Sequence, residues 1–413
     1  MSFSSTDSSA SYAAEVARLL WPEPWEAPHV TRTRHRGDQP HRDAYLFPSE
    51  RRPRLLVPAD VPGSSSMLQR LGSGRGRAAR PLRGLLERSV GTRAFALARW
   101  PMLRVPGDDL GADSIETHLA ECFGTPVRVG IMLGTRRVNQ KPVLQVFDLT
   151  GRLLGYTKVG HNELTAALVR READALTTVG DLGPTSFRVP QLLHHGRWNG
   201  LEVLAISPLA TDARNPVLPS SRHAAMRELA ELTGLSGMSL AASSFWDRMR
   251  DVADELAREP LGQRLWPVVD DIEFRHGDAL VRMGGWHGDW GHWNMGMGEG
   301  VLQVWDWERY DPTVPMGFDA LHFAAQVIHP GERDARRRED AFLRSVPELL
   351  EQAGVDPRVH ALTLRLYLLE ISARYVEALR HGATPALQRR TAWALALLER
   401  TTNEHPAPSR GRS

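Results

Sequence analysis

Lysine is almost missing from this chain: of its 51 basic residues only Lys141 and Lys158 are lysine, and the rest are arginine. A composition this biased keeps a lysine by accident, or where a compact ammonium does what a guanidinium fork cannot. Cysteine is rarer still. The single Cys122 excludes an intrachain disulfide and a cluster of cysteine metal ligands, and near the end of a helical stretch it reads as a small core residue. No apolar run reaches the roughly 18 residues of a membrane span. The Ser-rich start has no basic stretch before an apolar block, so a secretory signal is not expected. These absences fit a cytoplasmic protein. The remaining composition, 42% hydrophobic and 24% charged, is ordinary for a globular protein. A chain of 413 residues is long enough for two or three packed units.

Charge is unevenly placed. Residues 31–104 hold 16 Arg against 5 Asp or Glu, a net of +11, which leaves −9 for the rest of this +2 chain. That excess is either a solvated basic surface or an attractive field for a nucleotide, a phosphorylated substrate or a membrane surface. No recognition motif accompanies it, so nucleic acid is not expected as a partner.

The patterning predicts an α+β protein without internal repeats. Residues 1–25 read as a disordered or loosely helical start, 26–122 as an Arg-rich cap segment and 402–413 as a disordered tail. Short strands are expected at 45–47, 55–57 and 93–99, with helices near 64–88 and 114–121. The run Gly72-Ser73-Gly74-Arg75-Gly76 lacks the Gly-Lys-Ser/Thr ending and the preceding strand of a phosphate loop, so it reads as a bend. Within 123–209, three antiparallel strands at 127–133, 143–147 and 154–159 precede a helix at 162–177 and a strand at 203–206. Helical spacing marks 221–233, 244–258, 262–282, 318–328, 335–353, 357–380 and 385–401. A β-rich unit followed by a helical one (210–401) implies two lobes with a cleft between them.

The chemistry concentrates between Trp286 and Glu308. Asp289, Asn294 and Asp306 stand at set intervals there, with a Gly-rich turn at 296–300 and a strand at 301–305 before Asp306. A loop bearing Asp and Asn, then a hairpin ending in a second Asp, can converge three oxygen ligands on one spot. Phosphoryl transfer needs such a set: one carboxylate to orient the attacking hydroxyl and accept its proton, and an amide oxygen with a second carboxylate to hold Mg²⁺.

At these residues the sequence resembles the aminoglycoside phosphotransferase/choline kinase family, whose loop is His-Gly-Asp with Asn five residues after the Asp. Here His287-Gly288-Asp289 is followed by Asn294, Asp306-Trp307-Glu308 follows an apolar strand, and Phe318-Asp319-Ala320-Leu321-His322-Phe323 comes later. His276-Gly277-Asp278 repeats the tripeptide, but Met283 stands where the Asn should be. The spacing therefore carries the signal, and the tripeptide alone does not. The resemblance covers about 125–400. It implies a two-lobed protein-kinase-like fold with an extra N-terminal α+β segment, ATP and Mg²⁺ as cofactors, Asp289 as catalytic residue and Asn294 and Asp306 on the metal. His287 and Asp319 would brace the loop.

A kinase-like first lobe needs a lysine on its third strand paired with a glutamate on the next helix. Lys158 ends the third strand and Glu172 lies 14 residues on. Residues 134–140, with one glycine, would cover the phosphates, Arg136 or Arg137 supplying part of the contact; Lys141 beside them is either solvated or close to phosphate. Residues 203–209 would be the hinge, with backbone groups of Ile206 and Ser207 beside adenine. Five of the 12 tryptophans lie between 286 and 307. Trp305 reads as core, whereas Trp290 and Trp293, with His292 and Glu308, are candidate contacts for an acceptor. The function expected is phosphoryl transfer to a hydroxyl of a small molecule (sugar, glycoside, aminoglycoside or amino alcohol). The alternative is a silent nucleotide-binding or scaffolding module; a protein kinase is disfavoured, because no Gly-rich loop or activation segment is present.

Overall fold

The computed structural model describes residues 7–33, 40–72, 99–107, 111–134, 140–212, 214–234, 236–327 and 334–403. In chain order the strands are β1 (His29–Thr31), β2 (His41–Phe47), β3 (Leu55–Pro58), β4 (Met102–Pro106), β5 (Val127–Met132), β6 (Val143–Asp148), β7 (Leu153–Gly160), β8 (Phe187–Arg188), β9 (Leu192–Trp198), β10 (Leu201–Ile206), β11 (Ser236–Ser239), β12 (Leu280–Trp286), β13 (Met295–Gly298), β14 (Val301–Val304) and β15 (Asp311–Pro315). The α-helices are α1 (Asp7–Leu20), α2 (Ile115–Phe123), α3 (Glu163–Asp181), α4 (Pro219–Leu232), α5 (Ser244–Leu256), α6 (Trp266–His276), α7 (Phe318–Val327), α8 (Ala335–Gln352), α9 (His360–His381) and α10 (Pro385–Asn403). The chain is α+β, with its strands concentrated early and its helices late. It divides into two compact units, Met1–Ala173 with Pro190–Pro208, and Asp174–Val189 with Leu209–Ser413.

The first unit is built on a nine-stranded sheet in the order β1-β4-β2-β3-β5-β6-β7-β10-β9. The meander β5-β6-β7 forms because its strands alternate and its last turn is locally determined. Asp148 Oδ1 accepts from the Thr150 and Arg152 backbone N–H groups at 2.9 Å each, an Asx-type turn. Period-2 alternation gives the sheet two apolar faces. Leu46 and Leu56 join the cluster containing Ala13, Val16, Ala17 and Leu20 of α1, while Tyr45, Phe47, Leu55 and Val57 join the opposite one with Met67 and Phe147. The stretch expected as a disordered or loosely helical start thus contains a regular helix that anchors one face of the sheet. Residues expected as a separate cap supply β1–β4, and Leu55-Leu56 pair with Met132-Ile131, so the sheet runs unbroken across the boundary expected at 122/123. Instead of a long helix from 64, Ser64–Gly72 is a 3₁₀ segment. Of the other expectations, the glycine run beyond Gly72, the strand through 93–98, the loop at 135–139 and the tail beyond 403 lie outside the described residues.

In the second unit, helices enclose an apolar core that includes Phe245, Trp246, Trp286, Phe318, Leu321, Phe342 and Tyr367. Two small sheets accompany them, β11-β12-β15 and β13-β14-β8. The helix expected over 262–282 ends at His276, and β12 begins at Leu280. The reason is visible in the burial: Leu280 and Arg282 are exposed, whereas Val281 and Met283 are buried, a strand alternation. Among the described residues no helix is long and apolar enough to cross a membrane.

Candidate active site

The loop 287–294 joins β12 to the β13-β14 hairpin. The hairpin closes through Glu299-Gly300, both at positive φ, the backbone of a type I′ turn. Met295 pairs with Val304, and the Trp305 N–H donates to the Asn294 carbonyl at 3.1 Å. The register therefore brings Asn294 and Trp305-Asp306 to one end of the hairpin. Asp306 has φ +73, a left-handed conformation that Asp tolerates better than most residues and that clusters at functional sites.

Three groups anchor the loop. Asp319, in the first turn of α7, accepts the backbone N–H of His287 at 2.8 Å and that of Gly288 at 3.3 Å. His287, fully buried, donates from Nε2 to the Trp305 carbonyl at 3.1 Å and accepts the Asp289 N–H on Nδ1 at 3.2 Å. One nitrogen gives and the other receives, which requires the neutral ring. Burial agrees with that, lowering the His287 pKa to about 4 against the pull of Asp289 and Asp306. Arg374 on α9 donates to the Gly288 carbonyl at 2.6 Å and to Glu370 at 3.1 Å, and its guanidinium lies 4.8 Å from the Trp286 ring centroid. Burial also pushes Asp319 up to about 7, opposed by its two N–H donors and by Arg374.

Asp289 stands where these anchors converge. Its side chain is 36% exposed, with Oδ1 at 3.6 Å from His322 Nε2 and Oδ2 accepting from Asn294 Nδ2 at 3.1 Å. Burial, the largest single influence, and Asp306 would raise its pKa, but the hydrogen bond and charge of His322 together with His287 hold the carboxyl below its ordinary range. The Asn294 amide nitrogen also donates to the Asp289 carbonyl at 2.9 Å. With its N–H groups so engaged, Asn294 has its carbonyl oxygen left to act as a ligand. Asp306 and Glu308 bring carboxylate oxygens within 4.8 Å of each other.

Three findings follow from comparison with known proteins. No family model matches this chain, and no curated protein matches it. Solved structures do. The chain is similar to aminoglycoside phosphotransferases. A thermostable variant of aminoglycoside phosphotransferase APH(4)-Ia in a ternary complex with ADP and hygromycin B shares 16% identity over 72% of this chain and 100% of its own, with a TM-score of 0.46. The GDP and kanamycin complex of an APH(2″) enzyme shares 14% over 68% and 94%, TM-score 0.43. A protein named as a fructosamine-3-kinase from Haemophilus somnus shares 14% over 69% and 96%, TM-score 0.43.

The remaining candidates divide. Trp290 is fully buried, its ring 6.4 Å from Phe187 and 5.6 Å from His287 and its N–H directed at Met295 Sδ at 3.3 Å. It is core, and the expectation that it touches an acceptor is corrected: Phe187 in β8, distant in sequence, closes over it. Trp307 is core as well, stacked on Phe187 at 6.0 Å. Trp293 is 51% exposed and His292 is exposed, its ring edge-on to Phe323 at 4.8 Å; Glu308 and Trp305 are half-buried. In the first unit, Lys158 on β7 places Nζ 2.6 Å from both carboxylate oxygens of Glu172 on α3, and both side chains are buried. Ile206 ends β10, and the Ser207 N–H is engaged by the Gln191 carbonyl at 2.9 Å. Sequence reasoning assigned no role to His322 and missed Arg374; His322 was visible within its motif, but nothing local marks Arg374, 86 residues from the carbonyl it holds.

Proposed function

We propose that the chain is an ATP- and Mg²⁺-dependent phosphotransferase that moves the γ-phosphoryl group to a hydroxyl of a small molecule such as a sugar, glycoside, aminoglycoside or amino alcohol. The observation that carries this reading is the Asp289 carboxylate: ionised, over a third exposed, and fixed by a loop anchored at three points. Such a group orients an acceptor hydroxyl and takes its proton as the O–P bond forms. Asn294 and Asp306 fit Mg²⁺, being hard oxygen donors at one end of a hairpin. When bound there the ion would neutralise phosphate charge. Lys158, held by Glu172, offers a compact ammonium to the nucleotide's phosphates, which accounts for a lysine kept in an arginine-rich chain. Trp293, His292 and Glu308 are the side chains proposed to meet the acceptor.

The test is ADP release with Mg²⁺-ATP across a panel of hydroxyl acceptors. Asp289→Asn should lower kcat by about 10²-fold or more, with circular dichroism unchanged. Full activity in that variant refutes the assignment. Stabilisation by Mg²⁺-ATP without turnover on any acceptor would favour a silent nucleotide-binding module instead.

A further inference from the structure

The one cysteine of the chain is not a core residue. Cys122 is half-buried near the end of α2. His118 precedes it by one turn on the same helix face, with Nε2 at 3.8 Å from Cys122 Sγ. On β9, His194, Gly196 and Trp198 project to one face by strand alternation. The His194 ring meets His118 edge-on at 5.3 Å, and His118 stacks on Trp198 at 5.9 Å. The Trp198 indole N–H is spent on Asp113 at 3.1 Å. One ligand atom each from His118, Cys122 and His194 lies within 4.8 Å of the other two. His194 Nε2 is closed off from solvent without a hydrogen-bond partner, a state that buried polar atoms normally avoid.

We propose that His118, Cys122 and His194 form a binding site for a divalent transition-metal ion, with Zn²⁺ the ion whose chemistry fits. Two imidazoles and a thiolate are borderline-soft donors, unsuited to Mg²⁺ or Ca²⁺, which take oxygen. Tetrahedral zinc with bonds of about 2.0–2.3 Å sets ligand–ligand edges near roughly 3.3–3.8 Å. The His118–Cys122 edge, 3.8 Å, is at the top of that range, and the remaining edges, at most 4.8 Å, need to contract by up to about 1.5 Å. The fourth position falls to water, and the charge of the nearby Glu121 acts on both His118 and Cys122. Burial, with His194 acting on His118 and His195 acting on His194, lowers the pKa of both rings, so their nitrogen lone pairs are available at neutral pH; Glu121 and Asp113 pull the other way at His118 without reversing the direction. Burial and Glu121 raise the Cys122 thiol. Forming the S–metal bond therefore releases the Sγ proton to solvent, and affinity falls as pH drops. The site lies wholly within the first unit.

Because the chain has one thiol, every thiol or thiolate signal reports on Cys122. The full-length, chelator-stripped protein is titrated with Zn²⁺ while Cys122 reacts with an aromatic disulfide reagent, and separately with Co²⁺ in a spectrophotometer. One equivalent of Zn²⁺ should slow the thiol reaction about 10-fold or more, and Co²⁺ should give a thiolate-to-metal charge-transfer band that Cys122→Ser abolishes. His194→Gln should weaken Zn²⁺ binding by about 100-fold, whereas His381→Gln, at the exposed end of α9, should not change it. Thiol reactivity indifferent to Zn²⁺, cobalt bound without a sulfur band, or wild-type affinity in His194→Gln would each overturn the proposal. If a variant does not fold, the wild-type thiol protection and cobalt band decide.

Discussion

Gly288 is where the backbone of the candidate loop leaves least room, and replacing it separates two costs. It has φ +79, and a Cβ there would stand 2.3 Å from the Arg309 carbonyl oxygen and 2.9 Å from Arg309 Cβ. Gly234 in the same unit has the same φ, +79, yet a Cβ there meets nothing within 4 Å. Gly234→Ala therefore pays only for a left-handed alanine, about 1–2 kcal/mol. Gly288→Ala pays that and also pushes against backbone, which cannot rotate away, adding about 1–3 kcal/mol. Urea denaturation followed by tryptophan fluorescence gives the two differences, and a thermal scan should separate the variants by roughly 2–4 °C for each kcal/mol of excess. Gly288→Ala should also lose ADP release, because the displacement falls between His287 and Asp289. Equal destabilisation of the two variants would refute the claim that the Arg309 carbonyl packs rigidly against Gly288.

Two other predictions concern the buried anchors and the tryptophans. His287 and Asp319 push stability in opposite directions between pH 4 and 7. The folded pKa of His287, about 4 against an ordinary 6.5, means the unfolded chain binds the proton first, so this contribution is present above 6.5 and lost as pH falls to 4. The folded pKa of Asp319, about 7 against 3.8, means the folded chain holds its proton longer, so stability declines as pH rises from 4 to 7. Each slope is at most about 1.4 kcal/mol per pH unit. Urea midpoints at pH 5 and 7 should rise with pH in Asp319→Asn relative to wild type and fall in His287→Gln; unchanged pH dependence in both variants would count against these burial effects. Trp290→Ala should cost about 3–5 kcal/mol by opening a core cavity, and Trp293→Ala within about 0.5 kcal/mol of zero. Similar melting temperatures for the two would contradict the burial assigned to them.

Local patterns were legible. The meander β5–β7, most helices of the second unit and the β13-β14 hairpin follow from alternation, 3.6-residue spacing and turn residues, each set by neighbours within a few positions. The helix expected to reach 282 stops at His276, because Leu280 to Met283 alternate in exposure as a strand does. Burial was less legible. Trp290 and Trp293 stand three residues apart in one irregular loop, and Phe187, brought in by the parallel pairing of β8 with β14, packs with His287 and Met295 around the first while the second stays exposed. Cys122 reads as an apolar core residue from its own helix, and β9, about 70 residues later, brings the His194 ring to its side.

What the sequence determined by itself is the set of chemical groups and their local carriers: His287-Gly288-Asp289, Asn294 five residues on, Asp306 past a strand, and a lone lysine pair in an arginine-rich chain. The tertiary structure decided which of these groups are ionised, which are neutral and which can meet a ligand. Those properties depend on partners supplied from afar: Asp319, His322 and Arg374 around the loop, and His194 beside Cys122. Side-chain charge and exposure are set by distance and dielectric, and pairs remote in sequence acquire their distance only when the chain packs.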